Sequence, residues 1–468
     1  MRKYKEIAKT PPGLNSQALN ALPPPPFLVF AIVEELLQSA YSSKTYVVPG
    51  EADPYCVAAA QQHCGEVTIF SDDSDLLVYS LGDRTCVAPF RELSDEKSET
   101  GGITRTGEVY YPAHIVQQAP ASLQLENLIK PAFLMSRDPH CTLEKAFQTL
   151  QTTSLSDSQQ DFKDFSASFQ TASEIEEWDL ITSNADRKTS LAARDSRISE
   201  LIWQSQQLET LQAGIIRVYL PFLIDDPARA TAWHVGRSIR ALAYATLLQN
   251  CEGHEVEVQE YARSGSRVAG TLAERMNSSE VEGEMGKLSA YCDQIFEWSG
   301  ENDLDETQRW KYVALQQTCQ HLRENGLPGR DEAMALVLHK NSHPRTWSRI
   351  HLAAQYQAAF YSLRMLKQLL EYVVDSGKSG LKVLVRLREQ LSGLPRIAKF
   401  FAEGTEEAEN EVWVDVVQGL LESLKDGDED AAEEPRKKRR KKGKARDENE
   451  EKEADETLAR NPFAMLMG

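Results

Sequence analysis

The sequence predicts an α/β domain with a short parallel sheet, followed by a mostly α-helical domain and a disordered charged tail. Three observations support this fold class. Strand, helix and strand patterns follow one another between Thr45 and Phe70. The hydrophobic periodicity is helical almost throughout 174–425, and charged blocks without apolar residues begin at Asp426. A chain of 468 residues is long enough for two or three such parts.

The α/β domain is predicted to contain one strand, helix and strand unit whose two strands are parallel. Such a unit needs a crossover connection, and the helix between the strands supplies it. A proline at the first helical position and a terminal glycine mark the limits of that helix. The predicted elements are a helix from Phe27 to about Ala40, a strand at Thr45–Val48, a helix from Asp53 to Gly65, a strand at Glu66–Phe70 and a possible third strand at Thr85–Pro89.

Shifts in composition predict five segments. A flexible, basic and proline-rich start precedes the α/β domain, and a Ser/Gln-rich linker separates that domain from an all-α domain. Within the α/β domain, residues 91–107 are predicted to be a polar surface loop and residues 124–150 two helices. The predicted boundaries are 1–26, 27–150, 151–173, 174–425 and 426–468.

Composition excludes several classes of protein. No apolar run approaches the roughly 20 residues that cross a bilayer, and the N-terminus lacks a signal-peptide pattern. Seven scattered cysteines indicate neither a disulfide framework nor a zinc site. We therefore expect a soluble intracellular protein. A net charge of −19 argues against a broad phosphate-binding surface, because such surfaces are normally basic.

Four carboxylates follow the ends of two successive predicted strands. Glu51 and Asp53 come after the first strand, and Asp73 and Asp75 after the second. In extended backbone, side chains two residues apart share a face, and parallel strands place their carboxyl ends at one edge of a sheet. We therefore expect the four to converge. Clustered carboxylates repel one another unless a cation neutralises them, and oxygen ligands select hard ions such as Mg²⁺ or Mn²⁺.

A structural interpretation of the same residues stays open. Asp53 precedes Pro54 and can cap a helix, while residues 72–75 can cap the next helix or form a solvated turn. Under this hypothesis the carboxylates have no ligand, and replacing Asp73 and Asp75 leaves stability and any response to metal unchanged.

Two stretches resemble a known family. PGEADPYCVAAAQ (49–61) and GEVTIFSDDSDLLVY (65–79) resemble the internal nuclease region of flap endonucleases and XPG-type nucleases, which have a PIN-like fold. The amino-acid sequence of these stretches is most similar to that of the asteroid family, whose members resemble single-strand DNA endonucleases. The resemblance covers about residues 27–150.

The resemblance implies a metal site. The family has a Glu-x-Glu pair before a helix and an Asp-x-Asp pair after the next strand; Glu51 and Asp53 match the first, with Asp in the second place, and Asp73 and Asp75 match the second. The stretch FLMSRD places Asp138 where the family has a further metal-site Asp. The implied function is hydrolysis of DNA or RNA phosphodiesters with one or two Mg²⁺ or Mn²⁺ ions, with the first four residues catalytic and all five ligating metal.

Part of the family pattern is not matched in this sequence. Flap endonucleases draw further metal-binding aspartates from an N-terminal region, whereas residues 1–26 contain no Asp. The basic helical arch and the DNA-holding glycines are not recognisable either. Two hypotheses therefore stay open: a metal-dependent nuclease, and a non-catalytic protein of the same fold that acts as a nuclear interaction module.

The C-terminal tail predicts a nuclear protein. Nine of the eleven residues in 436–446 are basic, which is typical of a nuclear localisation signal read by the import machinery, with nucleic-acid contact as a second possibility. The alternative is a solvated charged tail. The apolar end NPFAMLMG and the helical domain are candidate docking elements for protein partners, and no membrane partner is expected.

Overall fold

A computed structural model describes residues 25–97, 103–123, 125–153, 160–169, 194–211, 213–249, 255–324, 347–377, 381–401, 415, 418 and 419. The described residues form two compact units. The large unit contains residues 25–49 and the described residues from 194 onward; the small unit contains residues 50–169. The predicted charged tail, including the basic run 436–446, lies outside the described residues.

Helices dominate the described part of the chain, and three small sheets accompany them. The strands are β1 (Val67–Phe70), β2 (Thr85–Ala88), β3 (Ser94–Lys97), β4 (Ile103–Thr106), β5 (Ala213–Tyr219), β6 (Glu255–Ser264) and β7 (Arg267–Leu272). The helices are α1 (Leu28–Gln38), α2 (Asp53–Gln62), α3 (Pro112–Gln117), α4 (Ile129–Arg137), α5 (Leu143–Thr152), α6 (Gln160–Ala167), α7 (Ser196–Leu211), α8 (Arg237–Leu248), α9 (Ser278–Glu301), α10 (Glu306–Glu324), α11 (Trp347–Asp375), α12 (Lys382–Ser392) and α13 (Ile397–Phe401).

The small unit is built on the parallel pair β1 and β2. Val67 lies opposite Thr85 and Phe70 opposite Ala88, which confirms the predicted short parallel sheet. The strands that pair are not the predicted ones, which were 45–48 and 66–70 with a helix between them. Residues 45–48 form no strand, and the chain between β1 and β2 crosses through a single 3₁₀ turn at Ser74–Leu77. The β-branched run at 45–48 has strand propensity, but propensity without a neighbouring strand does not form a ladder.

Two segments of the small unit are more ordered than composition suggested. The predicted polar loop at 91–107 contains β3 and β4, an antiparallel pair. The predicted linker at 151–173 contains α6, whose Phe162 and Phe165 are buried beside Phe133 of α4, with Phe169 just beyond the helix. The Ser/Gln-rich composition hid three phenylalanines at helical spacing, and these bury enough apolar surface to order the segment.

Helix α1 belongs to the large unit. Phe27, which precedes it, has a φ of 63°, a conformation that a bulky residue rarely adopts. Its ring stacks on Tyr361 at 4.9 Å and on Phe401 at 5.8 Å between centroids. Glu34 of α1 also forms a buried ion pair with Arg364. Tertiary packing therefore outweighs the local backbone preference.

This packing moves a domain boundary. The sequence predicted one domain over residues 27–150, whereas the structure assigns residues 27–49 to the large unit and begins the small unit at Gly50. Pairing between residues that lie more than 300 positions apart cannot be recognised from local patterns in a single sequence.

The large unit is mainly helical, as predicted, but it also contains a sheet. Strands β5, β6 and β7 pair in that order, with β5 and β6 parallel and β6 and β7 antiparallel. The prediction of an all-α domain therefore missed three strands. The alternation of apolar and polar residues in GIIRVY (214–219) and EVEVQEY (255–261) was the available signal. Among the described residues, no helix has the length and apolar character needed to cross a membrane.

A buried ion pair ties this sheet to α8. Arg240 donates to both carboxylate oxygens of Glu260, at 2.6 and 3.0 Å, and Tyr244 donates to Glu260 Oε1 at 2.7 Å. The guanidinium also donates to the carbonyl oxygen of Val235 and to Ser362 Oγ. Every donor of Arg240 is thus directed at an oxygen, which is the arrangement that makes burial of a charge tolerable.

We expect Arg240→Met to destabilise the large unit by about 3–5 kcal/mol, because it leaves the Glu260 carboxylate buried without a counter-charge. Chemical denaturation of the full chain measures this loss. Arg386→Met removes an exposed ion pair with Asp293 and serves as the matched control, with a cost of about 0–1 kcal/mol. Equal losses in the two variants would contradict the interpretation.

Candidate functional site

The first predicted pair of carboxylates lies where the chain enters α2. Gly50 has a φ of 71°, which glycine adopts without strain, and this turn places Glu51 immediately before the helix. Asp53 is the first residue of α2, followed by Pro54. No side chain caps this helix end, so the interpretation of Asp53 as a capping residue is not supported.

The second pair lies in the turn after β1. Asp73 Oδ1 accepts a hydrogen bond from the backbone N–H of Asp75 at 3.0 Å, and the N–H of Asp73 donates to Ser71 Oγ at 3.0 Å. Asp73 therefore caps the 3₁₀ turn that follows, in agreement with the structural interpretation for this one residue. The turn also means that Asp73 and Asp75 do not share a face through extended backbone, as the sequence argument assumed.

Electrostatic coupling nevertheless shows that the four carboxylates lie close together. Burial raises the pKa of Asp53 to about 6, with repulsion from Asp73 and Glu51 adding to the shift. Burial raises the pKa of Asp75 to about 7, again with contributions from Asp73, Asp53 and Glu51. Burial and the same four negative charges also raise the pKa of the Tyr79 phenol. The four charges are therefore near enough to act on one another, while the convergence on a single ion that the sequence predicted stays a prediction.

Asp138 lies in a different local arrangement. It ends α4, where its Oδ1 accepts from the N–H of His140 at 2.9 Å and its Oδ2 accepts from Lys145 Nζ at 3.1 Å. These two hydrogen bonds lower the pKa of Asp138, and none of the four clustered carboxylates contributes to that shift. The structure therefore brings together Glu51, Asp53, Asp73 and Asp75 and leaves Asp138 as a residue that ties α4 to α5.

The four side chains provide the right donor chemistry for a hard cation but not a closed cage. Across the described ranges, no group of three or more His, Cys, Asp or Glu side chains lies close enough to hold one ion. Mg²⁺ commonly keeps several waters and binds through only one or two carboxylates together with substrate phosphate. Asp53 and Asp75, which are half-buried and repelled by their neighbours, are the carboxylates best suited to this mode of binding.

The structure adds neighbours that sequence reasoning missed. Asp72 Oδ1 accepts from the backbone N–H of Arg91 at 3.2 Å, which joins the turn after β1 to the turn after β2. Phe70 at the end of β1 and Phe90 in the turn after β2 are 52% and 57% exposed, with ring centroids 6.0 Å apart. The signal for Phe70 was its position in β1, because it shares the exposed side of the strand with Thr68.

Two carboxylates after a strand of a parallel pair and two at the start of α2 define a candidate cation site of the kind that acts on phosphate esters. Comparison with known families agrees with this class. A family described as XPG domain containing matches residues 24–274, more than half of the chain, and the chain belongs to that family. No curated protein and no solved structure matches the chain. The family match confirms the predicted XPG-type region and supports a nuclease-like kind of function.

We expect Asp75→Asn to stabilise the small unit at pH 8 and to have little effect at pH 4. The pKa of Asp75 is raised from 3.8 to about 7 in the folded protein, so the folded state binds the proton more tightly than the unfolded state does. Stability is therefore lost as the pH rises from about 4 through 7, and the asparagine removes that loss. With solvent screening of a half-buried group, the expected gain at pH 8 is about 1 kcal/mol.

Thermal unfolding of the full chain at several pH values measures this effect. Asp83→Asn, an exposed aspartate in the same unit, is the matched control, and its melting temperature should follow the wild type at every pH. A gain from Asp75→Asn that is the same at pH 4 and pH 8 would show that repulsion among the carboxylates is not its cause.

Proposed function

We propose that the chain is a metal-dependent nuclease that hydrolyses phosphodiester bonds of DNA or RNA, with a PIN-like arrangement of the asteroid type. The observation that carries the proposal is the set of four carboxylates Glu51, Asp53, Asp73 and Asp75, of which Asp53 and Asp75 are half-buried; burial, with repulsion from the other carboxylates, raises the pKa values of these two. Such a cluster is unfavourable in the absence of a positively charged ligand, and such clusters are typical of functional sites. The match to the XPG-domain family supports the same class.

The proposed division of roles follows from burial. Asp53 and Asp75, the half-buried members, would hold Mg²⁺ or Mn²⁺, and the exposed Glu51 and Asp73 would add negative charge that attracts the ion. The ion, when bound, would stabilise negative charge that develops on the phosphate group. Asp75 has a pKa of about 7 without a ligand, so it can exchange a proton near neutral pH. The buried Leu76 and Tyr79 keep water away from the inner side of the cluster.

A second candidate function is a non-catalytic interaction module of the same family. Two observations favour it: Asp73 caps a turn, and no three described acidic side chains are arranged around one point. Under this hypothesis the cluster binds an ion weakly or not at all, and the large unit contacts other proteins.

We further propose that the protein acts in the nucleus. The support is the basic run 436–446, for which the import machinery would be the partner. Nucleic acid and proteins bound by the helical part or the tail complete the proposed set of partners. No membrane partner is included.

We expect Mg²⁺ or Mn²⁺ to raise the melting temperature of the full chain at pH 8, and to raise it much less at pH 5. Protons compete with the cation for Asp53 and Asp75, so the shift should grow as these groups ionise. The shift should disappear in Asp53→Asn/Asp75→Asn and persist in Asp83→Asn. The absence of any shift in the wild type at pH 8 would favour the non-catalytic module.

We expect the wild type to cut labelled single-stranded DNA, flapped DNA or RNA only when Mg²⁺ or Mn²⁺ is present. Asp73→Asn/Asp75→Asn should reduce the cleavage rate by about a hundredfold or more, the scale on which loss of one stabilising group acts at an active centre. Asparagine is preferred to alanine at position 73 because its side-chain oxygen retains the cap on the following turn.

Two further variants serve as a control and as a test of Asp138 in the cleavage assay. Asp83→Asn should cut at the wild-type rate. Asp138→Asn tests which role Asp138 has. The family resemblance implies that it is a metal ligand, whereas in the structure it forms an ion pair with Lys145. Cleavage that survives in Asp138→Asn supports the four-carboxylate site. A folded wild type that cuts none of the substrates would count against the nuclease.

A further inference from the structure

Strands β5 and β6 of the large unit's sheet have one buried and one open face, and β7 is exposed along its whole length. Burial alternates along β5, where Ile216 and Val218 are buried and Ile215, Arg217 and Tyr219 are exposed. Val256 and Val258 of β6 continue the buried face into the core of the unit. The register aligns the exposed side chains in cross-strand rows, because residues directly opposite one another share a face.

Three of these rows define the open face, a name used from here on for them alone. The first pairs Ile215 with Glu257, the second joins Arg217, Gln259 and Leu272, and the third joins Tyr219, Tyr261 and Gly270. Leu272 is 49% exposed and Ile215 is 43% exposed. The open face thus combines aromatic, apolar and cationic side chains, and its strands hold them in fixed positions where a ligand can reach them.

Two tyrosine rings form a flat platform on the open face. The rings of Tyr219 and Tyr261 are stacked, with centroids 4.6 Å apart and an interplanar angle of 16°. The Tyr261 hydroxyl donates to Gln259 Oε1 at 2.8 Å, which fixes the inner ring. Tyr219 remains 44% exposed. One of the two rings is therefore held in place while the other is accessible to a ligand.

At Gly270 no side chain protrudes from the open face beside Tyr261. A Cβ at position 270 would come within 2.6 Å of Gln259 Nε2, so a larger residue would displace the glutamine that holds Tyr261. The absence of a side chain beside Tyr261 lets the glutamine lie flat against β7. The platform therefore depends on small and planar groups in neighbouring strands.

One exposed arginine lies beside the tyrosines. Arg217 is on the open face, two residues before Tyr219. It forms no carboxylate ion pair with another described residue, whereas Arg240 and Arg263 of the same unit are paired with Glu260 and Asp225. In a chain with a net charge of −19, a cationic group beside an aromatic platform favours an anionic ligand that has flat rings.

We propose that the open face binds single-stranded nucleic acid. An unpaired base stacks on Tyr219, and Arg217 pairs with a phosphate of the same strand. Duplex binds poorly, because its bases are already stacked inside the helix and cannot reach the platform. A protein partner fits less well, because Arg217 and Gln259 separate the aliphatic side chains of the open face. This binding does not rest on the cleavage proposal, since none of its residues belongs to the carboxylate cluster.

Fluorescence anisotropy of the full chain in EDTA tests the proposal, because cleavage does not contribute under that condition. The probes are labelled single-stranded DNA and RNA of about 16 nucleotides and a duplex of the same sequence. The basic run 436–446 can also bind phosphate, so every variant is measured in two backgrounds. One has the natural run, and the other has its lysines and arginines replaced by glutamine.

Tyr219→Leu should weaken single-strand binding about tenfold or more in both backgrounds, because leucine retains bulk and strand compatibility but provides no ring face. Tyr219→Phe should bind like the wild type. Arg217→Gln should weaken binding and reduce the slope of affinity against salt by about one charge. Phe222→Leu, at an aromatic residue that is 51% exposed beyond the end of β5, is the control and should have no effect.

Several results would overturn the proposal. Tyr219→Leu binding as tightly as the wild type, with a wild-type melting temperature, excludes stacking on this ring. Binding that vanishes only when 436–446 is neutralised assigns it to the tail. Equal or tighter binding of duplex excludes a single-strand platform. If Tyr219→Leu lowers the melting temperature, the wild-type behaviour of Tyr219→Phe and the salt slope of Arg217→Gln decide the question. If the wild type binds single strands but does not cut them, the proposal of binding at the open face stands and only the proposal of nuclease activity is excluded.

Discussion

The burial of Leu76 is the constraint on which the carboxylate site depends. Leu76 is fully buried and directly follows Asp75, and Val57 is fully buried four residues after Asp53. Each such side chain contributes about 1.5–3 kcal/mol when it leaves water. Repulsion between two carboxylates near solvent costs on the order of 1 kcal/mol. The free energy gained by hydrophobic burial therefore exceeds the cost of repulsion. It keeps Asp53 and Asp75 in half-buried positions that are unfavourable for their charges.

Those parts of the fold that depend on local pattern could be predicted from the sequence. Helices α1 and α2 and strands β1 and β2 follow from hydrophobic spacing and from Pro54, but the sequence paired β1 with 45–48 instead of with β2. The argument for convergence of the four carboxylates assumed a strand at 45–48 that is absent and extended backbone between Asp73 and Asp75 that is a 3₁₀ turn. The four charges still act on one another, so the residues the sequence singled out remain the candidates for the proposed site.

The parts that failed depend on partners distant in the chain. The run at 45–48 has the composition of a strand but no partner strand, and Phe27 packs on Tyr361 and Phe401 instead of on the domain that follows it. The three strands at 213–272 were overlooked because the long helices around them dominate the periodicity. The assignment of Asp138 by resemblance stays a prediction; in the structure this carboxylate pairs with Lys145 in the first turn of α5. Position in a motif does not determine which charge a side chain meets.

Three arginines of this acidic chain are paired with carboxylates inside the protein. Arg240, Arg263 and Arg364 are buried and paired with Glu260, Asp225 and Glu34 respectively. Each pair joins elements that are distant in sequence. Such pairs specify which elements pack together, but they leave fewer cations for the surface. An exposed arginine without a carboxylate partner is therefore more informative here than it would be in a basic protein.

The position of Asp53 shows how finely the site is balanced. An aspartate in the first turn of a helix is normally favoured by the helix dipole, by about 0.3–1 kcal/mol, and this effect lowers its pKa. The pKa of Asp53 is instead raised to about 6, so burial and the charges of Asp73 and Glu51 outweigh the dipole. A group in this state gains free energy from either a proton or a cation. The same repulsion that makes the empty cluster unfavourable thus increases its affinity for a positive ligand, and the balance between proton and cation falls close to neutral pH.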